Sequence, residues 1–250
     1  MNEIDGGQRI ATADGAMLAD PRSLGNLEPA LFDPRYWAAR GQLVPVARGR
    51  GSAWFIATEP HPWVLRHYRR GGFIARLSKD RYVWAGEGRV RAFAEWRLLA
   101  SLADRGLPVP RPVAARYERS GLLYRCDRIT ERIVGAVPLS ERLVAGGLLE
   151  EEWRSIGSIL ARFHAVGADH ADLNAHNILL DEADAVSIID FDRGRLRPTG
   201  ARAAAQPWAL GNIARMRRSL DKIARELPSA RHGAREWQWF RDGYDSALRL

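Results

Sequence analysis

The chain predicts an α+β fold in two lobes, a small antiparallel-sheet lobe carrying one helix followed by a mainly helical lobe. Three observations predict it. Short apolar runs separated by Gly, Pro or Ser turns occupy much of residues 43–129. Beyond about residue 139, apolar residues recur at helical spacing. In that second part lies a polar stretch, His170-Ala171-Asp172-Leu173-Asn174-Ala175-His176-Asn177, with Asp190-Phe191-Asp192 downstream. The expected division is a loosely structured 1–28, a sheet lobe over 29–130 and a helical lobe over 131–250.

In chain order, 1–28 is rich in Gly, Asp and Ala without periodicity. Asp33-Pro34 opens a short helix as cap and first position, and Gly41 closes it. Leu43–Ala47 and Ala53–Ala57 read as strands around Arg48-Gly49-Arg50-Gly51-Ser52. Bare backbone at Gly49 and Gly51, with Ser52, lets amide groups approach phosphate oxygens, although such glycine pairs also make plain hairpins. A third strand, Trp63–Tyr68, stands where a kinase carries its phosphate-gripping lysine. It holds Arg66, a permanent forked cation, with Lys79 as the rival candidate.

Residues 87–105 read as a helix ending at Gly106. Glu95 falls on its apolar stripe with Leu98, Leu99 and Leu102, and an acid on a buried face needs a cation. Arg66 is the expected partner; another arginine is the alternative. After Leu107–Pro112, strands Val113–Tyr117 and Leu122–Ile129 turn at Ser120-Gly121. Thr130–Val137 is the expected hinge, with backbone available to an adenine edge.

Helices are expected near 139–145 and 149–166, the latter packing Trp153, Ile156, Leu160 and Phe163. The His170–Asn177 stretch is an H-x-D-L-x-x-x-N loop of protein-kinase type, its Asn five positions after its Asp. Asn177–Leu180 and Val186–Ile189, separated by Asp181–Asp184, form a hairpin pattern that returns Asp190 beside Asn177. An amide oxygen and a carboxylate suit Mg²⁺, and Asp172 can face a hydroxyl nucleophile. The alternative, with Asp172 and Asn177 serving turns and Asp190 ending a strand, explains each residue singly but not their order. His164, His170 and His176 do not have zinc-motif spacing, so His170 is expected to brace the loop and His164 to pack.

The basic residues number 38 against 30 acidic ones, a net charge of +8, and Lys79 and Lys222 are the only lysines. This favours polyanionic partners, unless it is only compositional bias. The helices near 213–223 and 237–248 crowd arginines around apolar faces, which suits an anionic membrane surface or a solvated exterior. A single cysteine, Cys126, suits a reducing cytoplasm. Neither a secretory h-region nor an apolar run of about 18 residues is expected to matter here, for none is present.

Several stretches resemble the Kdo (3-deoxy-D-manno-octulosonic acid) kinase family of lipopolysaccharide core biosynthesis, which has a protein-kinase-like fold. They are Leu65–Gly72, Lys79–Tyr82, Leu107–Pro112, His170–Leu180 and Asp190–Asp192, the run H-x-D-L-N-A-H-N-I-L-L being the most specific. The resemblance implies ATP and Mg²⁺ as cofactors and phosphorylation of O-4 of Kdo on a lipid A precursor. It also implies a peripheral protein at the cytoplasmic face of the Gram-negative inner membrane, without a nucleic-acid partner. Asp172 would be catalytic, Asn177 and Asp190 would hold the metal, and Gly49, Gly51, Ser52, Arg66 and Glu95 would serve the nucleotide. The sequence departs from protein kinases at Ala171, at Asn174 in place of a lysine, and at Asp192 in place of a glycine, and it lacks an A-P-E motif. Arg193 is the expected substitute for the missing lysine, Asp192 an accessory to metal or a basic residue, and a peptide acceptor is disfavoured. An aminoglycoside-type or heptose acceptor, and more remotely a nucleic-acid-binding role, are the alternatives.

Overall fold

A computed structural model describes residues 2–4, 7–45, 53–69, 80–199, 205–227 and 229–249. The chain divides into two units, Met1–Ser101 with Pro110–Arg132, and Leu102–Val109 with Ile133–Leu250.

The first unit is built on one antiparallel sheet. Its elements are β1 (Asn2–Ile4), β2 (Gly7–Ala11), β3 (Gly15–Ala19), a 3-10 turn at Pro29–Phe32, α1 (Pro34–Ala38), β4 (Leu43–Val44), β5 (Ala53–Ile56), β6 (Trp63–His67), β7 (Tyr82–Val83), α2 (Arg91–Asp104), β8 (Pro112–Ser120) and β9 (Leu123–Glu131). The strand order is β1-β2-β3-β8-β9-β6-β5-β4, with β7 also on β9. The five strands expected from the apolar runs form β4, β5, β6, β8 and β9. Asp33 caps α1 through the Arg35 N–H at 2.9 Å, with Pro34 at the first helical position.

Residues 1–28 differ from expectation, because they supply three strands that extend the sheet beside β8. Ala16, Met17, Leu18 and Ala19 are all buried, since both faces of β3 are covered. A strand buried on both faces shows no alternation, and its small residues give little propensity signal. Gly15 is required at the pairing: a Cβ there would lie 2.0 Å from the Tyr117 carbonyl oxygen.

The two faces of this sheet carry separate cores. On one, Leu18, Ala115, Tyr117, Tyr124 and Cys126 pack with Phe93 and Trp96 of α2. On the other, Met17, Ile56, Leu65, Ala114 and Ile129 pack with Leu31, Phe32 and Trp37. Each fully buried aliphatic or aromatic side chain contributes about 1.5–3 kcal/mol, so these layers hold β6, β9 and α2 in place.

The second unit contains β10 (Val137–Pro138), α3 (Leu139–Ala145), α4 (Glu150–Ala165), β11 (Ala168–Asp169), β12 (Ile178–Leu180), β13 (Val186–Ile188), β14 (Arg195–Leu196), α5 (Pro207–Glu226) and α6 (Ala234–Ala247). β10, β12 and β13 form one small sheet, and β11 pairs with β14. Trp153, Ile156, Leu160 and Phe163 are buried, as their spacing requires. α4 and α6 pack backbone to backbone at Gly157 and Gly243, where an added Cβ would meet Phe240 O and Arg154 O respectively, each at 2.1 Å. Glu150, Glu151 and Glu152 fill the first turn of α4, where carboxylates oppose the positive end of the helix dipole. Glu152 also accepts from the Leu149 N–H at 2.6 Å and pairs with Arg142. Arg142 reaches on to Asp184 at 3.0 Å, tying the β12–β13 turn to α3 and α4.

Candidate active site

The loop 170–177 lies in the second unit, between β11 and β12. It closes on the Asp172 carbonyl, which accepts from Asn174 Nδ2 and Asn177 Nδ2, both at 2.9 Å. Asn174 Oδ1 in turn accepts the His176 N–H at 2.9 Å. The residue that replaces the protein-kinase lysine is therefore a staple across the loop. Leu173 and Ala175 are fully buried while Asp172 and His176 are exposed, so the apolar pair anchors the loop and Asp172 and His176 face outward.

His170 braces this loop. Its Nδ1 accepts the Asp172 N–H at 3.2 Å, and its Nε2 donates to the Ile189 carbonyl at 2.9 Å, next to Asp190. Those two contacts require the Nε2–H tautomer. One imidazole thus links the loop to the start of the Asp190 motif. Behind it stands Asn212 of α5, which sequence reasoning did not single out. Asn212 is 2% exposed. Its Oδ1 accepts the His170 N–H at 3.0 Å, and its Nδ2 donates to Asp169 Oδ1 at 3.0 Å and Trp208 O at 2.7 Å. Arg197 holds the other oxygen of Asp169, at 2.9 Å through Nε and 2.8 Å through a terminal nitrogen. A buried asparagine amid polar partners was invisible because α5 reads from sequence only as an apolar stripe with arginines around it.

The hairpin forms as expected, with Ile178 opposite Ile188, Leu179 opposite Ser187 and Leu180 opposite Val186. One further bond, Ile189 N–H to Asn177 O at 2.9 Å, brings the chain to Asp190 beside Asn177. Phe191 is buried against Phe163 and the His170 ring, with centroids at 5.7 and 4.6 Å. Asp190 and Arg193 both have positive φ, 64° and 63°. Non-glycine residues rarely adopt this conformation, and such strain concentrates at functional sites. The Gly194 N–H donates to Phe191 O at 2.7 Å, turning the chain so that Arg193 is exposed. Asp192 is half-buried in the same turn.

The donor set fits magnesium. Asn177 spends its Nδ2 on the loop, which leaves its amide oxygen, and Asp190 adds a carboxylate. These are hard oxygen donors, and Mg²⁺ binds through one or two such protein groups while keeping waters and phosphate oxygens. Among the described residues no cluster of three or more His, Cys, Asp or Glu is arranged for a metal. His164 and His170 are buried side chains of the fold, whereas His176 is exposed. His164 is fully buried with its Nδ1 2.6 Å from the Tyr244 hydroxyl, and burial lowers its pKa to about 4.

The remaining site residues fall in the first unit. Gly49, Gly51, Ser52 and Lys79 lie outside the described residues. Glu95 is buried, and its carboxylate pairs with Arg128 of β9 and accepts from the Tyr68 hydroxyl. Burial pushes the Tyr68 phenol well above its ordinary pKa, so it donates as a neutral group. Sequence reasoning preferred Arg66 for Glu95 and kept another arginine as the alternative; the structure shows the alternative, with Arg128 as the partner. Register explains why: Arg66 and Arg128 are directly opposite one another on β6 and β9, so both guanidinium groups start from the α2 face. Arg66 lies 5.8 Å from the Tyr68 ring centroid. The available signal was parity: of the two cations in Leu122–Ile129, Arg125 and Arg128, only Arg128 alternates in step with Tyr124 and Cys126, which face α2.

The model of the lipopolysaccharide kinase (Kdo/WaaP) family matches residues 34–244. A 3-deoxy-D-manno-octulosonic acid kinase of Xylella fastidiosa (strain 9a5c) is 46% identical over 234 residues, 94% of this chain and 91% of that protein. The kinase of the same name from Stenotrophomonas maltophilia (strain K279a) is 44% identical, covering 93% and 90%. That of Xanthomonas axonopodis pv. citri (strain 306) is 46% identical over 209 residues, covering 84% and 81%. Among solved structures, glucosamine kinase (crystal form B) aligns with a TM-score of 0.43 at 17% identity, over 91% of this chain and 87% of that one.

Proposed function

The chain belongs to the lipopolysaccharide kinase (Kdo/WaaP) family and is a sugar kinase that uses ATP; from that premise we propose that it phosphorylates the 4-hydroxyl of Kdo on a lipid A precursor. The observation that carries the chemistry is the closed loop with an exposed Asp172 beside the hairpin that joins Asn177 to Asp190. In this reading the Asp172 carboxylate accepts the proton of the sugar hydroxyl as the hydroxyl oxygen attacks the γ-phosphorus of ATP and the bond from that phosphorus to ADP breaks. The backbone of Asp172 is held at both its N–H and its carbonyl, so the carboxylate is presented from a fixed base. Asn177 and Asp190 would hold Mg²⁺, which when bound offsets negative charge on the phosphates. In the same reading Arg66 would serve the phosphates, Gly49, Gly51 and Ser52 would serve the nucleotide, and Arg193 would offset charge where protein kinases use a lysine.

Asp172→Ala is expected to lower phosphoryl transfer by roughly 10²–10⁴ while ATP affinity is retained. The assay offers labelled ATP and Mg²⁺ with a Kdo-bearing lipid A precursor beside the same lipid without Kdo. Equal label in both lipids would exclude Kdo as the acceptor, and undiminished turnover by the variant would remove Asp172 from its role.

The proposal extends to the cytoplasmic face of an anionic inner membrane, supported by the net charge of +8 and by exposed Arg218, Lys222 and Arg225 on α5. No helix among the described residues is long and apolar enough to cross a membrane. Cosedimentation with vesicles containing anionic lipid should weaken steeply as salt rises. Equal binding to neutral vesicles would refute the electrostatic contact.

A further inference from the structure

We infer that His176 reads the acceptor, its Nε2–H donating to the carboxylate of the same sugar whose hydroxyl faces Asp172. The inference rests on the acceptor being Kdo, an acidic sugar, and adds the group that recognises the acid. Three observations support it. Asp172 and His176 are the exposed positions of a loop whose intervening Leu173 and Ala175 are buried, so they face outward from the same stretch. Asn174 bridges the Asp172 carbonyl and the His176 N–H, at 2.9 Å each, which fixes the spacing between them. Even fully extended, four residues span only about 13 Å, and this loop is bent, so one monosaccharide can meet both groups.

The third observation is the ring's orientation. Ser140, at the start of α3, is 7% exposed, and its Oγ lies 2.8 Å from His176 Nδ1. The Ser140 N–H also donates to Ala175 O at 3.1 Å, pinning α3 to the loop. A buried hydroxyl needs an acceptor for its hydrogen, and among the described residues Nδ1 is the side-chain partner it has. With Nδ1 accepting, the ring proton sits on Nε2, the nitrogen left for a ligand. Ser140 is therefore a positioning residue that acts through His176. The loop itself is closed by Asn174, Asn177 and His170, so among the described residues the fold draws on this imidazole through Nδ1 and Ser140, on the side away from Nε2.

The test compares a Kdo-bearing lipid A precursor with the same acceptor carrying its carboxylate as a methyl ester. Loss of a hydrogen bond to a charged group lowers kcat/KM for the acceptor by roughly 10- to 100-fold. The wild type should lose about that factor on the ester. His176→Ala should show the loss on the acid and little further loss on the ester, with the KM for ATP unmoved. His176→Gln, which keeps an N–H near the same place, should retain most acceptor affinity. Ser140→Ala should raise the acceptor KM less than His176→Ala, also without effect on ATP. Penalties that multiply, or a matching loss of ATP affinity in both His176 variants, would overturn the inference. A wild type active on both acceptors alike would overturn it while leaving the Kdo reading intact. No transfer by the wild type to either would overturn both.

Discussion

Asn212 shows how much of the site depends on one side chain that touches no substrate in the proposed mechanism. It satisfies the His170 N–H and one oxygen of Asp169, and His170 then holds the Asp172 N–H and the carbonyl before Asp190. Asn212→Ala would leave buried polar groups without partners, at about 1–3 kcal/mol each. If half of that disturbance reaches the loop, single-turnover transfer falls by roughly tenfold with the acceptor KM little changed. Asn212→Asp, although similar in shape, should be no milder, because it sets a second carboxylate against Asp169. Stopped-time transfer assays beside a denaturation curve separate the two effects. A kcat equal to wild type in Asn212→Ala would show that the loop holds without α5.

At the scale of elements, the contact of α4 with α6 depends on the absence of side chains at Gly157 and Gly243. Gly157→Ala should destabilise the second unit by at least about 1–3 kcal/mol, since its new methyl group meets backbone atoms rather than a movable side chain. Gly211 is the control. It lies within α5, is exposed, and has nothing within 4 Å of an added Cβ. There the same substitution should stabilise by about 0.5–1 kcal/mol through backbone entropy alone. Urea midpoints that shift in the same direction for both variants would contradict the helix contact.

For the molecule as a whole, two buried or half-buried histidines give its units opposite responses to pH. In the first unit, hydrogen bonding to Asp127 raises the pKa of His67 against the opposing effect of burial, with Asp80 assisting. Its folded value lies above its unfolded one, so its contribution is complete below about pH 6.5 and is lost as pH rises through the raised value. In the second unit, burial lowers His164 to about 4. Its neutral form is the one that folds, so stability is complete above about pH 6.5 and is lost as pH falls toward 4, by up to about 3 kcal/mol. Thermal unfolding of the wild type, His67→Gln and His164→Gln between pH 4.5 and 8 (roughly the window of these shifts) checks this. The acid-side slope should flatten only in His164→Gln, and the alkaline-side slope only in His67→Gln. Unaltered slopes in both would remove His67 and His164 as the source, leaving His232, whose pKa burial also lowers.

The sequence by itself determined what local spacing controls: β4, β5, β6, β8 and β9 of the first sheet, α2, the catalytic-type loop, its hairpin, and the return of the chain to Asp190. Each follows from residues a few positions apart, whose geometry is set by periodicity and turn chemistry. The family, too, was legible in short motifs, because those motifs carry the chemistry. Only the tertiary structure decided what depends on distant pairing. It put β1–β3 on a sheet whose covered faces erase alternation, set Arg128 beside Arg66 through strand register, and brought Asn212 from α5 behind His170. It also paired Gly157 with α6 and Ser140 with His176. A hydrogen bond or close backbone approach between residues dozens of positions apart leaves no period in either segment, so folding alone reveals which partners meet.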